Sequence, residues 1–142
     1  MRRSRHAVLL FTFIAIAQPA VAQHLRFHFK LLADGGYSQL EAQSPADTAA
    51  PAFIRTQIQT QVTKFSAGEF GLAGLSPDLI PPGLRQMEKL RTSITFKYQE
   101  TPRGGRLLFI STDPAAIQAI HDFLRFEIES NRTGDPTTIE GP

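Results

Sequence analysis

Apolar and polar residues alternate from Leu25 to Leu31. Leu25, Phe27, Phe29 and Leu31 share one side, and Arg26, His28 and Lys30 the other. The same beat returns 69 positions on, where Ile94, Phe96 and Tyr98 oppose Thr95, Lys97 and Gln99. A period of two predicts a half-buried strand in both places. Each run leads to a glycine pair, Gly35-Gly36 after Asp34 and Gly104-Gly105 after Arg103, and then to a second alternating run. Glycines there can supply the positive φ of a tight turn, so two β-hairpins are expected.

Beyond each hairpin the period lengthens to that of a helix. Asp113 and Pro114 suit an N-cap and first helical position. Ile117, Ile120, Leu124 and Ile128 follow at helical spacing, widened by Phe123, with Gln118, Asp122, Arg125 and Glu129 opposite. This helix should stop between Asn131 and Gly134. In the first half "PAFIRTQIQTQVTKF" places Ile54, Ile58, Val62 and Phe65 in a matching stripe. Aligning the glycine pairs gives an offset of 69, and a three-residue shift, absorbed by the loop "SPADTAAP", brings Ile54, Ile58 and Val62 onto Ile120, Leu124 and Ile128.

The chain therefore reads as two tandem ββα units. One unit cannot cover its own apolar face, but two can. The expected fold is α+β: a four-stranded antiparallel sheet with two helices on one face. A single domain spans 23–134, with units at 23–70 and 93–134. Between them lies a Gly- and Pro-rich linker, 71–92, whose "PPGLRQMEKLR" can form a short helix presenting Leu84, Met87 and Leu90. Residues 135–142 are expected to fray as a tail.

The N-terminus changes how charge should be counted. Arg2, Arg3 and Arg5 precede the apolar run "AVLLFTFIAIA", and Ala20-Val21-Ala22 offers an A-x-A site, the pattern of a cleaved secretory signal over 1–22. The run is shorter than the roughly 20 residues a membrane span needs. The full chain carries 15 Lys+Arg against 13 Asp+Glu; without the three leader arginines it is 12 − 13 = −1. A nucleic-acid surface is thus unsupported, and no membrane contact is expected after cleavage. With no Cys at all, an exported domain must rest on packing, which fits a bacterial periplasm.

Candidate chemistry is sparse. After the leader, three histidines remain: His24, His28 and His121. A transition-metal site needs several converging ligands, so His28, beside Arg26, Lys30 and Lys97, and His121, at the rim of its helix stripe, are weak metal candidates. The "PRGGR" turn, with Arg103, Gly104, Gly105 and Arg106, could hold an anion, though such turns mostly just close hairpins. There is no cysteine, nucleophile elbow or phosphate loop, so no catalytic residue and no cofactor are expected. The sheet face away from the helices is the more promising surface. It should carry Arg26, His28, Lys30 and Lys97 around Leu108 and Ile110, apolar residues otherwise left in water. A non-catalytic binding or interaction domain follows, with a homodimer through this face as one outcome. Metal handling and an unmarked active site are the alternatives.

The phrases "PPGLRQM", "IRTQ…FSAGEF" and "HDFLRFEIESNRTGDP" resemble those of a family of small exported bacterial proteins over most of the chain after the leader. The resemblance implies export but no particular activity. Some relatives are labelled aspartate carbamoyltransferase. That chemistry needs a carbamoyl-phosphate site shared across much larger two-domain subunits, beyond 120 residues without a phosphate loop. The resemblance also implies histidines where this chain has Phe27, Gln57, Thr60 and Asn131, while His28 and His121 remain.

Overall fold

The computed structural model describes residues 24–141; the expected leader, 1–22, lies outside them. β1 (Leu25–Leu32) and β2 (Gly35–Ala42) form one antiparallel hairpin, and β3 (Thr95–Thr101) and β4 (Gly104–Ile110) the other. Leu32 faces Gly35 and Thr101 faces Gly104, so the turns are Ala33-Asp34 and Pro102-Arg103. The glycine pairs expected to form those turns instead begin the second strands.

Their reason is close approach. β2 and β4 pair antiparallel at the centre of the sheet, from Gly35 opposite Ile110 to Glu41 opposite Gly104. A Cβ at Gly35 would strike the Phe109 carbonyl, and one at Gly104 the Leu40 carbonyl. Phe109 and Leu40 are 69 residues apart, as are Gly104 and Gly35. A pseudo-twofold axis therefore relates the two units, passing through the pair Ser38–Leu107, whose members are themselves 69 apart.

Two helices cover the sheet. α1 (Ala50–Ser66) begins where Asp47 Oδ1 accepts bonds from the amides of Ala49 and Ala50, at 3.2 and 3.0 Å. α3 (Pro114–Asn131) is capped by Asp113, whose Oδ1 accepts from the Ala115 amide at 2.9 Å, and ends at Arg132 in the left-handed region. Each helix crosses to the other unit's hairpin: α1 packs on β3 and β4, and α3 on β1 and β2. At Gly105 a Cβ would lie 3.1 Å from Ile58 Cδ1, and at Gly36 it would meet Leu124 Cδ1. Ile58 and Leu124 are the stripe positions the three-residue shift aligns. The units are thus interleaved, each helix lying mainly on the other unit's hairpin, with α1 also reaching β2.

Between the layers the rings of Phe70, Phe65, Phe96, Phe109 and Phe123 run in series, with neighbouring centroids 4.4 to 6.1 Å apart, stacked or edge-to-face. The linker adds a third helix, α2 (Leu84–Lys89), which buries Leu84 and Met87 against α3.

The architecture is α+β, but richer than the four strands and two helices expected. Among the described residues there are three helices and five strands, in the sheet order β3-β4-β2-β1-β5. The added strand, β5 (Ile139–Glu140), pairs parallel to β1 opposite Leu31 and Leu32. It belongs to the stretch expected to fray. Local pattern missed it because two residues carry no periodicity and the partner strand is over a hundred positions away.

Candidate functional site

The strand register gathers Arg26, His28, Lys30, Lys97, Leu108 and Ile110 onto the sheet face opposite the helices. Lys30, Tyr37, Leu108 and Lys97 form one row across four strands, and His28, Gln39, Arg106 and Gln99 the next. Arg106 lies flat along its row. Its guanidinium carbon sits 4.4 Å from the centre of the Tyr37 ring, its Nε donates to Gln39 Oε1, and its Nη1 donates to Gln99 Oε1 at 3.3 Å. Leu108 and Ile110 are half-buried rather than bare.

Charge on this face is unbalanced. Lys30 Nζ meets Glu140 Oε2 at 2.6 Å, and the bonded carboxylate raises the lysine pKa above its ordinary value. Glu41 is 3.9 Å from Arg103. Arg26, Lys97 and Arg106 have no carboxylate within ion-pair distance among the described residues.

His28 stands where the face meets the sheet edge. Its Nδ1 is 3.1 Å from Asp135 Oδ1, and the other carboxylate oxygen accepts from the Phe29 amide at 3.0 Å. One Asp side chain thus orients the imidazole and stands in for a strand on β1. Alongside lies an open groove of about 340 Å³ lined by Leu25 to His28, Gln43, Asn131 and Thr133. Of the positions where the resemblance implies histidines, Phe27 and Asn131 line this groove with His28, whereas Gln57 and Thr60 belong to α1, over the other hairpin.

Behind Asn131 is Glu127, a fully buried carboxyl. Its Oε2 accepts from Asn131 Nδ2 at 2.9 Å, while Oε1 is buried with no partner. Burial drives its pKa up to about 7, against the opposing pull of the Asn131 bond.

The remaining sequence candidates scatter. His121 is buried, with Nε2 2.8 Å from the Leu32 carbonyl oxygen. In "PRGGR", Gly104 and Gly105 are buried strand residues, Arg103 donates to the Gln43 carbonyl at 3.2 Å, and Arg106 lies on the open face. No three His, Asp or Glu among the described residues come together as a metal site, and no described helix is long and apolar enough to cross a membrane.

Sequence reading missed Glu127 and Asp135, and reached Asn131 only through the resemblance. Glu127 carried a signal: it lies seven residues after Ile120, on the apolar stripe, where an acid has to be explained. Asp135 carried none, because its partners are distant in sequence. No family model, no curated protein and no solved structure matches the chain.

Proposed function

We propose that the chain is a small exported binding domain with no catalytic machinery, which presents its open sheet face to an anionic, partly apolar partner. The observation that carries this reading is the set of three cations without an ion-pair partner among the described residues, Arg26, Lys97 and Arg106, around the half-buried Tyr37, Leu108 and Ile110, with Glu41 opposite Arg26 as the nearby acid. Two copies packed face to face would set cations against cations. A different, negatively charged molecule therefore suits the surface better than a homodimer. Export rests on the leader pattern, and a periplasmic setting on that pattern together with the lack of cysteine.

Native mass spectrometry of protein taken from the periplasm tests the reading. A retained anionic molecule, or an acidic partner lost in Arg106→Glu, is expected. A titration with octanoate, an amphipathic carboxylate, should shift the Leu108 methyl signals in the wild type only. Bare monomer in the spectrometer with unmoved Leu108 methyls at about 10 mM octanoate would sink it, since that limit corresponds to a negligible affinity.

An unmarked active site has one observation in its favour, the oriented His28–Asp135 pair beside the groove. Turnover that is lost in His28→Gln but not in Arg106→Glu would select that reading instead.

A further inference from the structure

The pseudo-twofold axis makes the two outer strands of the hairpin pair counterparts, yet only one of them is covered. In each hairpin the pair flanking the two-residue turn exchanges its backbone bonds inward: Leu32 with Gly35, and Thr101 with Gly104. Alternate residues then direct their N–H and C=O groups to the outer edge. On β1 these are Phe27, Phe29 and Leu31; on β3 they are their counterparts 69 residues on, Phe96, Tyr98 and Glu100. The chain's own C-terminal segment covers the β1 edge. Asp135 accepts from the Phe29 amide and sits on the His28 ring, and Ile139 pairs opposite Leu31. Glu140 closes the contact on Lys30.

The β3 edge has no such cover. β3 pairs only with β4, and the backbone groups of Phe96, Tyr98 and Glu100 meet no partner among the described residues. The segment that follows α1, where the tail follows α3, adds no strand here: Phe70 turns into the core, stacked on Phe65 at 4.4 Å and edge-on to the Phe96 ring at 6.0 Å. In place of His28 this edge has Lys97, an exposed cation without a carboxylate, next to the Tyr98 amide. Lys97 with the Tyr98 N–H is therefore the empty image of His28 with the Phe29 N–H.

The geometry points to the β3 edge as a docking site for an extended acidic segment of a partner protein. It would add as a strand parallel to β3, with an Asp or Glu side chain bridging Lys97 Nζ and the Tyr98 amide. The occupied edge supplies the pattern: direction, carboxylate position and backbone pairing are those of residues 135–140 on β1. A lysine in mid-edge discourages neutral strands from joining and favours an acidic one, which gives selectivity as well as attraction. This site lies beyond the sheet-face reading. It is read at β3 amides, whereas octanoate is read at Leu108 methyls, so either can fail alone.

The test is a titration of the purified protein with a synthetic peptide of the tail's own sequence, TGDPTTIEG, followed by amide hydrogen exchange. Binding at one peptide per chain, with new protection at Phe96, Tyr98 and Glu100, is expected. A peptide with Asn for Asp, and the variant Lys97→Glu, should each bind about tenfold more weakly or worse. Lys97 is exposed, so its replacement leaves the core untouched. Equal binding of the Asn peptide, protection only at the β1 edge through exchange with the resident tail, or no binding at about 5 mM peptide would overturn the site. So would self-association of the free protein through β3, because the occupant would then be a second copy.

Discussion

His121 and Arg55 do the same work on opposite sides of the pseudo-twofold axis. His121 Nε2 holds the Leu32 carbonyl at 2.8 Å, and Arg55 Nη2 holds the Thr101 carbonyl at 2.9 Å. The carbonyls are 69 residues apart and the side chains 66, the two offsets that relate the strands and the helices. Each ties a helix to the turn of the hairpin it crosses. His121→Ala should therefore destabilise the fold by about 1–3 kcal/mol, from the lost hydrogen bond and the hole left by a buried imidazole. Urea denaturation measures this. Sheet-face binding should be unchanged, because the ring is on the helix side; a binding defect in a well-folded His121→Ala protein would refute the structural role.

The glycines at the centre of the sheet give a paired prediction. Gly35→Ala and Gly104→Ala each drive a methyl group into a backbone carbonyl of the neighbouring central strand. Backbone cannot move aside as a side-chain tip can, so each should cost on the order of 3 kcal/mol or more. Gly71→Ala is the control. It has positive φ, as Gly35 does and Gly104 does not, but a Cβ there meets nothing within 4 Å, so about 1 kcal/mol of backbone strain is expected. Similar denaturation midpoints for all three variants would contradict the close central approach.

Those residues also show what could be read in advance. The repeated arrangement was legible because it is written in local patterns: two alternating runs, two glycine pairs, two stripes. Ile58 and Leu124 do occupy matching places over Gly105 and Gly36. What stayed hidden depends on contacts between distant segments. No local pattern says that α1 crosses to the second hairpin, since an amphipathic helix buries its stripe equally well on either. The glycine pairs looked like turns because turns are the usual local use of Gly-Gly, while their use here is set by a strand some seventy residues away. The face residues were found because alternation fixes sidedness. The cover on the β1 edge was missed because Asp135 makes its contacts through a single side chain.

That cover can be tested directly. Asp135→Ala removes the acceptor of the Phe29 amide and the partner of the His28 ring. Besides Asp135 the tail is held by the two paired residues of β5, the exposed Lys30–Glu140 contact and Arg125, whose Nε donates to the Thr137 carbonyl at 2.9 Å. Loss of about 1 kcal/mol is expected, with faster hydrogen exchange at Phe29 and Leu31 and no change at β4. Exchange at Phe29 as slow as in the wild type would show that the segment is held by other means.

Glu127 should make the fold less stable as pH rises from about 4.5 to about 7. Its carboxyl ordinarily titrates near 4.5, and burial in the folded chain raises this to about 7. Below the lower value both folded and unfolded chains hold the proton, and the residue adds no pH-dependent cost. Between the two, the unfolded chain releases its proton while the folded chain keeps it, so stability falls with pH. Above the upper value the folded chain also ionises and the loss levels off. At ~1.4 kcal/mol per pH unit the interval amounts to about 3 kcal/mol. Glu127→Gln keeps the shape and cannot ionise. It should leave stability at pH 4 nearly unchanged, raise it by about 3 kcal/mol at pH 8, and flatten the slope between. Asn131→Ala, which deletes the donor to Oε2, should leave the start of the decline where it is and extend it to higher pH, so that the total loss is larger. Chemical denaturation of the three proteins from pH 4 to pH 8 decides the matter. Parallel curves for wild type and Glu127→Gln would mean that the carboxyl ionises in the folded chain as freely as in water.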